Sequence, residues 1–181
     1  MNKENKDVIC FDFETYLMGP EAVAPKPVCI SYKNKQGAGV LGTCDTGYAD
    51  VYEYIFSDNP SRITVAHNSA FDTAVAMTHG SDQQVTAIFD AIENEQFTDT
   101  IIREKLLNLA SDGIIEDGFL SDGTRVDRKR YYSLDMLVKK YFNIDLSEDK
   151  KDPNAWRLRY SELDGVPASE YPDKAYDYAL M

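Results

Sequence analysis

Histidine is almost missing from this chain, and so is any surplus of positive charge. His67 and His79 are the two histidines in 181 residues, too few for a histidine-built zinc centre. Cys10, Cys29 and Cys44 form an odd set without metal-type spacing. Cys10 and Cys29 lie inside apolar, strand-like runs, where cysteine behaves as a small buried hydrophobe in a reduced setting. No apolar run approaches the roughly 20 residues of a membrane span. The first seven residues, Met1 to Asp7, are polar and carry no signal-type apolar core. No internal repeat or low-complexity segment is present. Nineteen Lys and Arg against thirty-one Asp and Glu give a net charge of -12. A field of that sign repels a polyanion unless cations cluster locally or divalent ions bridge protein and substrate. The composition therefore excludes simple nucleic-acid binding through a broadly basic surface. It is compatible with a metal-dependent nuclease without pointing to one.

What is present is the material of a core. Hydrophobic residues make up 43% and aromatics 12%, with twelve tyrosines, and a chain of this length buries about two-thirds of its unfolded surface in one domain. Residues 8–13 and 28–32 read as strands, with Pro25 and Pro27 in the connection, and Val40-Leu41 between glycines as a third. Residues 49–56 have helical spacing, 62–66 form a fourth strand, and 69–79 a helix closed by Gly80. Helical periods recur over 85–92, 101–110 and 133–142, with a brief strand over 96–99. The segment 111–130 is an excursion or hairpin, 147–153 a charged loop, and a last helix begins near Pro172. Strands first and strand-helix units afterwards predict an α/β fold with helices on a mixed sheet.

The acids concentrate the chemistry. Asp12 and Glu14 end the first strand two residues apart, so alternation puts both on one face and Phe13 on the other. Held close they repel each other unless a cation neutralises them, and a divalent metal is their natural partner. Solvated strand-end acids are the plainer alternative. Asp72 falls in the first turn of the 69–79 helix, where Ser69-x-x-Asp72 also fits a capping box. Asn68 fits a cap or turn, His67 a packed or hydrogen-bonded residue, and Asp99 a cap for the helix from Ile101. Arg125, Arg128, Lys129, Arg130, Lys150 and Lys151 are either phosphate contacts or solvated surface.

Taken together, Phe11-Asp12-Phe13-Glu14-Thr15, then His67-Asn68-Ser69-Ala70-Phe71-Asp72, then Tyr178-Ala179-Leu180-Met181 resemble, in order, the three motifs of DEDD-superfamily 3′-5′ exonucleases of the tyrosine type. The resemblance spans nearly the whole chain. Phe97-Thr98-Asp99-Thr100 and Tyr132-Ser133-Leu134 support it, and Trp156 to Tyr160, Gly165-Val166-Pro167 and Pro172 resemble the proofreading domains of phage-type family A DNA polymerases.

That resemblance implies a ribonuclease H-like fold of about five strands and removal of nucleotides from DNA 3′ ends. It makes Asp12, Glu14 and Asp72 metal ligands for two Mg²⁺ ions, with Mn²⁺ able to substitute, and Tyr178 the residue that orients the attacking water. Thr15, Tyr16, Asn68 and Phe71 become candidate substrate-binding residues, Tyr16 and Phe71 by stacking on a base, although core packing competes for Phe71. Asp99 stands behind the ligands. A fourth acid would fall one residue past Met181, so the expectation is one exonuclease-like domain, residues 1–181, cut within its third motif and impaired in activity. A monomer is expected, acting on single-stranded DNA beside a C-terminal polymerase domain, in the cytoplasm of a bacterium or phage-infected cell. No histidine in the last third supports a histidine-type exonuclease. The competing reading is a non-catalytic nucleic-acid- or protein-binding module on a nuclease fold. An acidic DNA mimic explains the charge but not the order of the motifs.

Overall fold

A computed structural model describes residues 6–20, 24–56, 59–111, 113, 118–119, 125–126, 132–146 and 152–181. Its centre is a five-stranded mixed sheet in the order β3-β2-β1-β4-β5. Strand β1 (Asp7–Thr15) lies in the middle, antiparallel to β2 (Pro27–Asn34) and parallel to β4 (Arg62–Ala66). Strand β3 (Gly37–Gly42) closes one edge and β5 (Phe97–Asp99) the other. The mixed sheet meets the ribonuclease H-like expectation in strand number and in the placing of strands before strand-helix units.

Alternation along β1 divides the sheet. Ile9, Phe11 and Phe13 are buried with Ile30, Tyr52, Ile55 and Phe56 in one core cluster. Tyr52, Ile55 and Phe56 come from α1 (Tyr48–Phe56), and Val75 and Ala76 of the same cluster from α2 (Ser69–His79). Helix α3 (Asp82–Glu93) adds Ile88. A second cluster, built from Val28, Cys29 and Val40, receives Tyr160, Leu163, Ala168, Tyr171, Ala175 and Ala179. The C-terminal segment supplies those residues through three short 3₁₀ turns and a final helix of seven residues, Asp173–Ala179.

Helices α4 (Thr100–Ser111) and α5 (Leu134–Phe142) fall where the periodicity put them, and the final helix, now α6, starts after Pro172 as its N-cap. Within the 111–130 excursion, residues 118–119 pair antiparallel with 125–126, as strands β6 and β7; Arg128, Lys129 and Arg130, like Lys150 and Lys151 of the charged loop, lie outside the described residues. Among the described residues no helix is long and apolar enough to cross a membrane.

Two local expectations change. Gly80 ends α2 with φ -85, not in the left-handed region; its glycine character serves space, because a Cβ would meet the Ala76 carbonyl at 2.8 Å and the Tyr52 hydroxyl at 2.9 Å. Helix α4 buries Glu104 and Asn108 while Ile102, Leu106, Leu107 and Leu109 are exposed, the reverse of the apolar stripe read from its sequence.

Candidate active site

Strand β4 pairs with β1 only as far as Cys10, so β1 continues past its parallel neighbour with one edge open. Asp12, Phe13 and Glu14 occupy that extension. The freed Phe13 N–H needs an acceptor, and α2 supplies one: it donates to the Asp72 Oδ1 at 3.1 Å. This bond joins the first and second acidic segments across 59 residues of sequence. Asp72 is accordingly 1% exposed and reaches from its helix to the sheet. The Ser69-x-x-Asp72 capping box is absent: Asn68 is the N-cap, in the left-handed region at φ 66, and makes no side-chain capping bond. A capping box does form one helix later, between Ser81 and Gln84.

Electrostatics ties the three acids together. Burial raises Asp12 to about 7. Its side chain is reached by water, yet it stands in the wall of a cleft with protein on most sides, which accounts for both properties. Burial, then the charges of Asp12 and Asp72, push Glu14 well above the usual carboxylate range. Burial and then the charge of Asp12 raise Asp72 to about 8, with the Phe13 N–H pulling in the opposite direction. Three carboxylates are thus held where their charged forms are disfavoured by the protein alone.

The cleft has a volume of about 480 Å³ and collects Asp12, Glu14, His67, Thr100 and Tyr178, with an apolar wall that includes Leu134, Leu146, Leu180 and Met181. Tyr178 is placed by α6, and its ring lies 6.2 Å from that of Tyr160, whose buried hydroxyl donates to the Ala175 carbonyl at 2.7 Å. The structure therefore brings Tyr178 to the same cleft as Asp12 and Glu14, while Asp72 sits at the open edge of β1 and does not line the cleft. His67 is hydrogen-bonded, Nδ1 to Thr100 Oγ1 at 2.8 Å.

Asp99 caps. It accepts from the Ile101 N–H at 2.7 Å and the Ile102 N–H at 3.3 Å, and also from the Ser69 N–H at 2.7 Å and hydroxyl at 3.0 Å. Burial alone would raise Asp99, but the bonds from Ser69 and from the Ile102 and Ile101 amides more than offset it and hold the group low. Its charge in turn contributes to raising Asp72, so it touches the acid pair from behind.

The remaining candidates scatter. Thr15 donates to the Tyr16 carbonyl at 2.7 Å. Tyr16 donates to Asp164 at 3.1 Å, and Lys26 meets the same carboxylate at 2.5 Å. Phe71 packs against the first core cluster. Thr15, Tyr16, Asn68 and Phe71 are absent from the cleft lining. Sequence reasoning missed Lys33, Cys10 and Asp135, all of which line the cleft. Lys33 had a signal: it is two residues beyond Ser31, the partner of Asp12, and pairs with Cys10 across the ladder, but β2 was expected to stop one residue short of it. Burial pushes the Cys10 thiol up, and Lys33 opposes that.

Carboxylate oxygens are the right donors for Mg²⁺ or Mn²⁺, and three mutually repelling acids with raised pKa values are a donor set that such an ion would relieve. Among the described residues no group of three or more His, Cys, Asp or Glu is gathered tightly enough to hold an ion as placed. Asp12, Glu14 and Asp72 are neighbours around β1 and not a closed ligand shell.

The family model described as 3′-5′ exonuclease matches residues 1–180. No curated protein matches. Among solved structures, apo exonuclease I is similar over 74% of this chain and 36% of that one, at 15% identity and a TM-score of 0.45. Exonuclease I in complex with the inhibitor BCBP is similar over the same shares, at 14% identity and a TM-score of 0.42. The chain thus spans about a third of the length of these structures.

Proposed function

This chain belongs to the 3′-5′ exonuclease family, and from that premise we propose that it hydrolyses terminal phosphodiester bonds of single-stranded DNA with divalent metal ions bound by Asp12, Glu14 and Asp72. The observation that carries the reading is geometric: the bond from the Phe13 N–H to Asp72 sets the acid of α2 beside the Asp12 to Glu14 stretch of β1. Bound at such a site, a pair of Mg²⁺ ions supplies an activated water and charge stabilisation at the leaving oxygen. The protein's own part is positional. The Phe13 N–H fixes Asp72 against β1, Asp99 fixes the start of α2 through Ser69, and Tyr178, which α6 brings to the cleft, is assigned the orienting of the water. The apolar wall of the cleft gives the terminal base a surface to pack on. The resemblance of residues 156–160 and 165–167 to family A polymerases supports proofreading as the setting.

The test is metal binding and cleavage together, with Mn²⁺ titrated calorimetrically and a 5′-labelled single-stranded oligodeoxynucleotide at high enzyme-to-substrate ratio. Expected are saturable Mn²⁺ binding and a ladder shortened from the 3′ end, both lost in Asp12→Asn, with cleavage lost to a chelator. Mn²⁺ binding by the wild-type chain with no shortening would favour the second reading, a non-catalytic module, which the open arrangement of the acids also supports. Absence of Mn²⁺ binding would overturn the metal site.

A further inference from the structure

The cleft is acidic, and a nucleic-acid strand must reach it through the field of a chain whose net charge is -12. One basic side chain stands at the right place. Among the described residues lining the cleft, Lys33 is the only lysine or arginine. Register puts it on the carboxylate face: Asp12 pairs with Ser31 and Cys10 with Lys33, so Lys33 lies one alternation step along that face, about 7 Å by strand geometry. Other lysines are committed elsewhere: Lys26 to Asp164, Lys35 to Asp7, Lys139 to Asp145 and Lys140 to Glu104. Lys33 makes no salt bridge or hydrogen bond among the described residues, and it is exposed.

A strand-borne lysine facing an acidic cleft without a counter-ion among the described residues is an unusual use of charge. Pairing with Asp12 or Glu14 would have neutralised the group at little cost, yet the ladder holds it one step away. From that position it can meet an anion lying along β1 while the acids remain available for cations. We propose that Lys33 is a substrate-binding residue that contacts a phosphate of the nucleic-acid strand, on the nucleotide side of the bond positioned at Asp12 and Glu14. The ligand chemistry is an internucleotide phosphate, met as a point charge and not read for sequence. The inference rests on the nuclease reading and adds to it a residue that offsets part of the repulsion of the acidic surface.

The probe is a fluorescent oligothymidylate, followed by anisotropy and by shortening in Mn²⁺, for wild type, Lys33→Gln, Lys33→Arg and Lys35→Gln. One phosphate contact on a single strand changes the slope of log affinity against log salt by about 0.7. Lys33→Gln should therefore bind about fivefold more weakly at about 50 mM salt, with the difference closing near about 500 mM. KM should rise by a similar factor with kcat within about twofold, since a phosphate contact away from the reacting atoms binds ground and transition states alike. Lys33→Arg should restore the slope. Lys35→Gln removes the same charge outside the cleft and should leave the slope unchanged; an equal change in both glutamine variants would mean a general field effect and would overturn the proposal. So would a wild-type slope in Lys33→Gln while the wild-type chain still shortens the probe, a result that spares the nuclease reading. A wild-type chain that neither binds nor shortens the probe would sink both.

Discussion

One strand carries two proteins' worth of instruction on its two faces. On one side of β1, Ile9, Phe11 and Phe13 interlock with Tyr52 and Phe56, with ring centroids 5.2 to 6.4 Å apart for the pairs that Phe11, Phe13 and Phe56 make with one another. On the other, Cys10, Asp12 and Glu14 face a cleft. The aromatic face gains free energy from every contact it makes. The acidic face holds carboxylates whose charged forms the protein itself disfavours. The difference teaches that the stability of the strand is supplied by one side so that the other can hold a strained, cation-seeking arrangement.

The comparison breaks most visibly at Phe13. Phe13→Ala removes a ring that is 4% exposed and in contact with Phe11, Tyr52 and Phe56, and should cost about 3 to 5 kcal/mol in urea denaturation. A loss below about 1 kcal/mol would show that the helices on that side do not hold β1. Next in size is Asp99→Ala. It leaves the amides of Ser69 and Ile101 without their acceptor, and a drop of about 1 to 3 kcal/mol is expected. Mn²⁺ affinity should fall with it, because α2 carries Asp72; unchanged affinity would separate the cap from the site.

The fold was legible because its signals are local and periodic. The alternation Ile9, Phe11, Phe13 against Asp12 and Glu14 gave both the strand and the side on which the acids lie, and Asp99 was read as a cap from its place before Ile101. The failures share a cause in partners remote in sequence. Helix α4 shows an outward apolar stripe because its inward Glu104 is met by Lys140 at 2.5 Å and Tyr141 at 2.6 Å from α5, and no window over α4 contains those residues. Asp72 looked equally suited to capping its own helix until an unpaired N–H of β1 claimed it. Lys33 went unnoticed because its meaning comes from the register of β2 on β1. Tyr16 offers a plausible stacking ring by sequence, yet it bonds to Asp164, 148 residues away.

A smaller change probes how the C-terminal segment is pinned to the acidic face. The Tyr160 hydroxyl is buried and donates to the Ala175 carbonyl. Tyr160→Phe keeps the ring against Tyr178 and should lose about 1 kcal/mol. If α6 positions Tyr178 for the reaction, kcat should fall further than stability does, with Mn²⁺ binding intact. Equal activity at equal occupancy would mean that the ring packing alone sets Tyr178.

The least change in folding stability, and one of opposite sign, is expected for Asp12→Asn. Asp12 and Asp72 sit at about 7 and about 8 in the folded chain against 3.8 unfolded, so between about pH 4 and pH 8 the folded state holds protons that the unfolded state has released. Stability from this pair is therefore greatest below about pH 4, declines across the window from about pH 4 to about pH 8, and is level above it. The acids held low, Asp7, Asp99, Glu104 and Asp164, act in reverse and lose their contribution as pH falls through the acid range. The metal-free chain should consequently be most stable near the top of the acid range, where the low-held acids are ionised while Asp12 and Asp72 still hold their protons. Asp12→Asn removes one charge and its pressure on Glu14 and Asp72, and should flatten the decline on the alkaline side, raising the melting temperature slightly at pH 8 while abolishing Mn²⁺ binding. Saturating Mn²⁺ should do to the wild-type chain at pH 8 what the substitution does without it. A wild-type chain whose melting temperature ignores both pH from 6 to 8 and Mn²⁺ would show that the acidic face is as relaxed as the aromatic one.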